Sequence, residues 1–182
     1  MRFASLILAI LLTGCMSQRQ RTAAPEDVRP LLSPSTLGSA RVVNQVVRGA
    51  FGEREMTINC VVTVKDGVMT IVGMSAMGVR LFTMKYDGRS TSVDNMLPLP
   101  AQLTPERLLA DFQLVFWPLA ELQKPLAAAG WQLNEAAGTR RLRRDTHLIA
   151  EVHYASTDPW TGRSWLVNLE HGYTLGIESK PL

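Results

Sequence analysis

Met56-Thr57-Ile58-Asn59-Cys60-Val61-Val62-Thr63-Val64-Lys65-Asp66-Gly67-Val68 is the stretch that decides the fold. Met56, Ile58, Cys60, Val62 and Val64 alternate with Thr57, Asn59, Val61, Thr63 and Lys65, a period of two that gives a strand one apolar face. Asp66-Gly67 supplies a tight hairpin turn, because glycine tolerates positive φ, and residues 68–73 return antiparallel. The same pattern extends outward in both directions. Residues 42–50 form a strand before it, and residues 74–78 connect to another at 79–86. Asp87-Gly88 then turns the chain into a shorter strand over 91–96.

Pro98 and Pro100 end this run of strands. Thr104-Pro105-Glu106 next offers an N-cap, a proline at the first helical position and an acid in the first turn. Leu108, Leu109, Phe112, Val115 and Phe116 form a helical apolar stripe. Trp117-Pro118 stops that helix and starts a second through Leu119, Leu122 and Leu126, with Pro125 breaking or kinking it. Strands resume at 131–133, 139–144, 147–155, 164–170 and 173–179, with a turn at 158–162. Antiparallel strands around a helical insert make an α+β protein whose helices cover one face of a sheet. Eight or more twisted strands tend to curl, so the expected architecture is an unclosed half-barrel with a short helical lid over an apolar space. Leu109, Phe112, Phe116 and Trp117 from the helical region, with Ile58 and Val62 from the sheet, are expected to line that space.

The chain has 182 residues, 46% apolar and 19% charged with a net charge of +3, too apolar and too evenly charged for a disordered protein. No apolar run reaches the ~18 residues of a spanning helix. Arg2 followed by an apolar stretch over residues 3–12, interrupted only by Ser5, reads as a secretory signal that ends at Leu12-Thr13-Gly14-Cys15. Removal of residues 1–14 leaves 168, a size that suits one core. Residues 15–38, punctuated by Pro25, Pro30 and Pro34, read as a flexible tether, and 39–182 as one domain, expected to be monomeric. The mature charge is too small to argue for a nucleic-acid partner.

Candidate chemistry is sparse. A hydrolase would recruit Cys60 or a serine with His147, His153 or His171 and an acid such as Asp145 or Asp158, but no Gly-x-Ser-x-Gly elbow is present. Cys60 falls on the apolar face of its strand, where a thiol is inert. His147 and His153 are six apart, and neither His-x-x-x-His nor Cys-x-x-Cys occurs. No catalytic residue, metal or cofactor is expected. Arg140-Arg141-Leu142-Arg143-Arg144 is the densest charge. In a strand Arg141 and Arg143 face one way, and two readings stand: a solvated edge strand protected against aggregation, or a clamp for phosphate or carboxylate headgroups at the mouth of the apolar space. Trp117, Trp131 and Trp165 are expected in the core or lining, and Trp160, in a turn, at a membrane interface.

Leu12-Thr13-Gly14-Cys15 resembles the lipobox of bacterial lipoproteins. That resemblance implies that Cys15 becomes the acylated first residue of the mature chain and anchors it to a membrane. Met16, where an Asp tends to retain such proteins at the inner membrane, then implies the outer membrane, facing the periplasm. Met77-Gly78, Leu81-Phe82, Leu108-Leu109-Ala110-Asp111, Trp117-Pro118-Leu119 and Gly172-Tyr173-Thr174-Leu175 resemble uncharacterised proteobacterial lipoproteins that accompany enzymes for aryl polyene and related fatty-acid-derived lipids. The order of elements is also similar, more loosely, to the LolA/LolB lipoprotein carriers, unclosed barrels with a helical lid and a cavity for acyl chains. By that likeness Met77, with Met74 beside it, is the apolar tip that contacts a membrane; a place packed on the sheet edge is the alternative. The resemblance implies a non-enzymatic outer-membrane lipoprotein. Its cargo would be the acyl or polyenyl chain of a lipid or lipoprotein, received from a periplasmic carrier protein. A scaffold or adaptor without lipid cargo, and a lipid acyl hydrolase, are the alternatives.

Overall fold

The computed structural model describes residues 29–95 and 103–182. Cys15, Met16 and residues 1–14, read above as a secretory signal, lie outside the described residues, as do Pro98 and Pro100. Alternating sequence becomes ten strands: β1 (Arg41–Phe51), β2 (Arg54–Lys65), β3 (Val68–Met74), β4 (Arg80–Tyr86), β5 (Thr91–Asn95), β6 (Trp131–Ala136), β7 (Thr139–Arg144), β8 (His147–Tyr154), β9 (Gly162–Asn168) and β10 (Tyr173–Pro181). Two helices, α1 (Pro105–Phe116) and α2 (Leu119–Ala128), separate β5 from β6. All ten strands form one antiparallel sheet in the order β5-β4-β3-β2-β1-β10-β9-β8-β7-β6. Two five-stranded meanders are thus joined side by side through β1 and β10. Among the described residues β5 and β6 stand at the two ends of the sheet without pairing to each other, so the half-barrel does not close.

Turn chemistry fixes the register. Asp66 and Gly67 both take positive φ, 53° and 75°, as do Ala137 and Gly138, 49° and 71°, the handedness that a two-residue hairpin needs to match strand twist. On the inner face β3 and β4 approach closely: Phe82 lies across Gly73, where any Cβ would collide with its ring. The glycine makes room for the aromatic, which is 2% exposed.

α1 begins where the sequence puts it. The Thr104 side chain accepts a hydrogen bond from the Arg107 amide at 3.3 Å, and Pro105 opens the helix, both favourable in the first turn. It ends because Pro118 pushes Trp117 out of the helical region, to φ −77° and ψ 149°. Every residue from Leu109 to Phe116 is buried, so α1 is an internal helix covered on both sides. α2 buries only Leu122 and Leu126. Among the described residues no helix is long and apolar enough to cross a membrane.

What covers α1 from outside corrects one expectation. Residues 29–37, read from sequence as part of a flexible tether, pack as a strap across α1. Arg29, Leu32, Pro34 and Leu37 are buried. The Gln113 side chain pairs with both backbone groups of Leu32, at 2.9 and 2.7 Å, and Trp117 Nε1 donates to Thr36 Oγ1 at 2.8 Å. Leu31, Leu32 and Leu37 give the segment an apolar side that an unattached tether would leave in water.

Candidate functional site

Between α1 and the concave face of the sheet lies an apolar cavity of about 60 Å³. Leu108, Phe112 and Val115 roof it, Val47, Ile58, Cys60, Ile71 and Phe82 form one wall, and Leu166, Leu175 and Ile177 the other. Strand parity explains the wall, since each residue is on the inward-facing set of its strand. Helical spacing explains the roof. At that volume the cavity is far below the ~300–1,000 Å³ of a preformed small-molecule site. Its rim is nonetheless left half-exposed at Val47, Ile58, Leu108 and Leu175.

Two polar groups meet this apolar space. Gln45 Nε2 donates to Ser179 Oγ at 3.1 Å. Asp111, 2% exposed, accepts from Tyr173 Oη, from Asn168 Nδ2 at 3.5 Å and from Arg29 Nη2 at 2.5 Å. The Tyr173 hydroxyl is driven well above its ordinary range, first by burial and then by the Asp111 charge beside it, so it stays protonated and remains the donor. A carboxylate inside the apolar arc of α1, between Leu108 and Phe112, is the one sequence signal that points to this cluster. The partners on β9, β10 and the strap carry none.

The carboxyl-terminal end of α1 is held from the sheet side. Arg140 Nη1 donates to the carbonyls of Leu114 and Trp117 at 2.7 and 2.9 Å, while its Nε pairs with Glu135 at 2.7 Å. Tyr154 Oη donates to the Val115 carbonyl at 2.8 Å. Burial raises the Tyr154 hydroxyl's pKa, only partly offset by the Arg140 charge, so it too remains a donor. These side chains satisfy carbonyls that the end of a helix leaves without partners, with a cation where the helix dipole favours one.

Of the six residues expected to line an apolar space, Ile58 and Phe112 do so. Leu109, Val62, Phe116 and Trp117 are sealed in the solid core behind them, at 2% exposure or less. Trp160, expected at a membrane interface, is buried: its ring lies 4.8 Å from Phe116 and 6.0 Å from Phe112 between centroids, because the loop before β9 folds inward. Trp165, expected inside, is instead 45% exposed, since Ser164 and Leu166 on either side take the inward positions of β9. The two arginines read as a headgroup clamp lie away from the cavity. No residue of β7 lines the cavity, and Arg141 is paired with Glu151 at 2.6 Å on the outer face. Arg143 reaches only the Thr146 carbonyl, at 3.5 Å. The buried arginine of the run is Arg140.

Met77 protrudes from the turn between β3 and β4 and is 88% exposed, with Val79 beside it at 52%. Gly78, at φ 77°, shapes that turn. Met74, half-buried, pairs with Asn59, the neighbour of the rim residue Ile58. The Met77 tip and the rim therefore lie at the same end of the half-barrel.

A larger depression, about 550 Å³, lies on the outer face around Gly176, walled by Trp165, Arg48, Arg163 and Glu178. Arg48 and Arg163 share Glu178 there at 3.9 and 3.3 Å, and it is open surface. Cys60 is inward on β2, its thiol pushed up to about 12 by burial, four strands from His153, which instead meets Thr139 at 3.3 Å. Among the described residues no group of three His, Cys, Asp or Glu could hold a metal ion.

Residues 42–181 match the family model described as a protein of unknown function, DUF3261. No curated protein matches the chain. Among solved structures, the LolA superfamily protein NE2245 from Nitrosomonas europaea is similar at 8% identity and a TM-score of 0.46, covering 82% of this chain and 92% of that one.

Proposed function

The chain belongs to the DUF3261 family, and for this member we propose a non-enzymatic role: holding the acyl or polyenyl chain of a lipid or lipoprotein between α1 and the half-barrel. The observation that carries the proposal is the apolar cavity beneath an internal helix, with a rim of half-exposed aliphatic side chains around it. An ordinary core has no reason to leave Val47, Ile58, Leu108 and Leu175 together at one opening. Lifting α1 enlarges the cavity toward the size an acyl chain requires, and burial of each methylene then contributes about 0.8 kcal/mol. The cargo's polar end stays at the rim in water, because no arginine or lysine is among the residues that line the cavity.

In this account Cys15 is the acylated anchor, the protein sits at the outer membrane facing the periplasm, and a periplasmic carrier delivers the cargo. Met77 and Val79 meet the bilayer beside the rim, so the cargo passes between protein and membrane over a short apolar path. Cys15→Ser is expected to abolish acyl labelling and release the protein from membranes; persistent labelling would contradict the anchor.

Transfer itself is tested with vesicles carrying a fluorescent fatty-acid probe. Wild type is expected to take up probe, and Met77→Asp to slow uptake without changing the melting temperature. The substitution costs the fold little because the side chain touches almost nothing. Uptake unchanged in Met77→Asp would remove Met77 from the path, and absence of uptake by wild type would contradict lipid-chain binding altogether.

A further inference from the structure

We propose that the strap, residues 29–37, is a release latch for α1, and that withdrawing it frees the helix to lift from the sheet and open the cavity. The inference deepens the proposed lipid-chain binding, on which its meaning for cargo rests.

Three observations carry it. The strap's polar contacts with the helical region converge on α1 and its end: Arg29 to Asp111, the Leu32 backbone to Gln113, and Thr36 to Trp117. α1 is thus gripped from two sides, by the strap outside and by Tyr173, Tyr154 and Arg140 on the sheet. Asp111 is the residue shared by both grips. When the strap leaves, Asp111 keeps the Tyr173 and Asn168 donors, so release does not strand a bare buried carboxylate.

The docked strap is also imperfectly satisfied. Arg29 is 7% exposed, yet among the described residues its Nη1 has no hydrogen-bond partner, and a buried donor left unmade is costly. A void of about 10 Å³ remains where Arg29 and Pro30 meet Ala110 and Gln113. A docked segment with one donor incompletely paired gives up less on release than a fully satisfied one.

The hinge is in place. At the far end of the strap Gly38, at φ 82°, turns the chain toward β1, and on withdrawal the strap also gives up the Tyr86 hydroxyl on the Leu31 carbonyl and its packing on β2 and β3. Upstream, the chain leads toward Cys15, so membrane attachment and latch release act on one stretch of chain.

The test uses the full chain in detergent and compares wild type with Arg29→Met, which removes the strap's charge and leaves Asp111 its Tyr173 and Asn168 donors, and with Arg29→Met/Asp111→Asn, which removes both charges. Hydrogen exchange is read in α1 and, separately, in β1 and β10, beside the uptake rate of a fluorescent fatty-acid probe. Loss of a charge-assisted hydrogen bond is expected to speed exchange in α1 by at least about tenfold in both variants, with β1 and β10 nearly unchanged. Probe uptake is expected to quicken in parallel. Unchanged exchange in α1 would overturn the latch, and so would equal acceleration throughout the sheet, which would make the strap a general part of the core. Faster exchange in α1 with no probe uptake by any protein, wild type included, would uphold the latch and contradict lipid-chain binding.

Discussion

Arg140→Met is expected to destabilise the protein by about 3–5 kcal/mol, because this one buried side chain holds several partners at the end of α1. The arginine donates to two α1-end carbonyls and to Glu135. Methionine fills similar volume and adds no charge, so the loss falls on the partners. Each stranded carbonyl costs about 1–3 kcal/mol. Glu135 adds less, because at 32% exposure its carboxylate can turn to water. Arg140→Lys is expected to fall between, since one ammonium cannot reproduce a fork that reaches three acceptors. Equilibrium denaturation checks both. A loss for Arg140→Met below about 1 kcal/mol would mean that the end of α1 is already hydrated, contrary to the burial of Leu114 and Trp117.

The second large effect separates core from cavity. Phe116 is 2% exposed and packs 4.6 Å from Phe112 and 4.8 Å from Trp160, ring to ring, with no face on the cavity. Phe116→Ala is expected to cost about 3–5 kcal/mol through lost transfer energy and the new void. Phe112 also contacts Phe116, Trp117 and Trp160, but one side of it faces the existing space. Phe112→Ala is therefore expected to cost less than Phe116→Ala and to change acyl-probe affinity. Paired melts and probe titrations measure the difference. Equal stability losses with unchanged probe binding would mean that the space beside Phe112 is a packing defect and not a site.

Most of the frame is readable from local rules. Hairpin turns such as Asp66-Gly67, strand alternation and the Thr104 cap are written in a few consecutive residues, and local chemistry decides them. The pairing of β1 with β10, which joins the two meanders, has no such signature. Nor do the two tryptophans that depart from expectation: Trp160 precedes β9 in a loop whose burial depends on α1 being beside it, and Trp165 takes the outward place because Ser164 and Leu166 face in. Within the run 140–144 the alternation separates two sets of arginines. Only the position of the α1 carbonyls shows that Arg140 is the buried member. The strap is hidden by its composition, since prolines and polar residues suit a tether equally well until Arg29 and Leu32 find Asp111 and Gln113.

Whether the space beneath α1 receives a lipid chain is tested most directly by native mass spectrometry of the Cys15→Ala protein, purified after exposure to membranes without detergent. Any lipid seen on that variant cannot be one attached covalently at Cys15. A population carrying one bound acyl-chain lipid is predicted, diminished in Phe112→Ala and released when the protein is denatured. A spectrum holding only the lipid-free mass after equilibration with membranes would contradict lipid-chain binding.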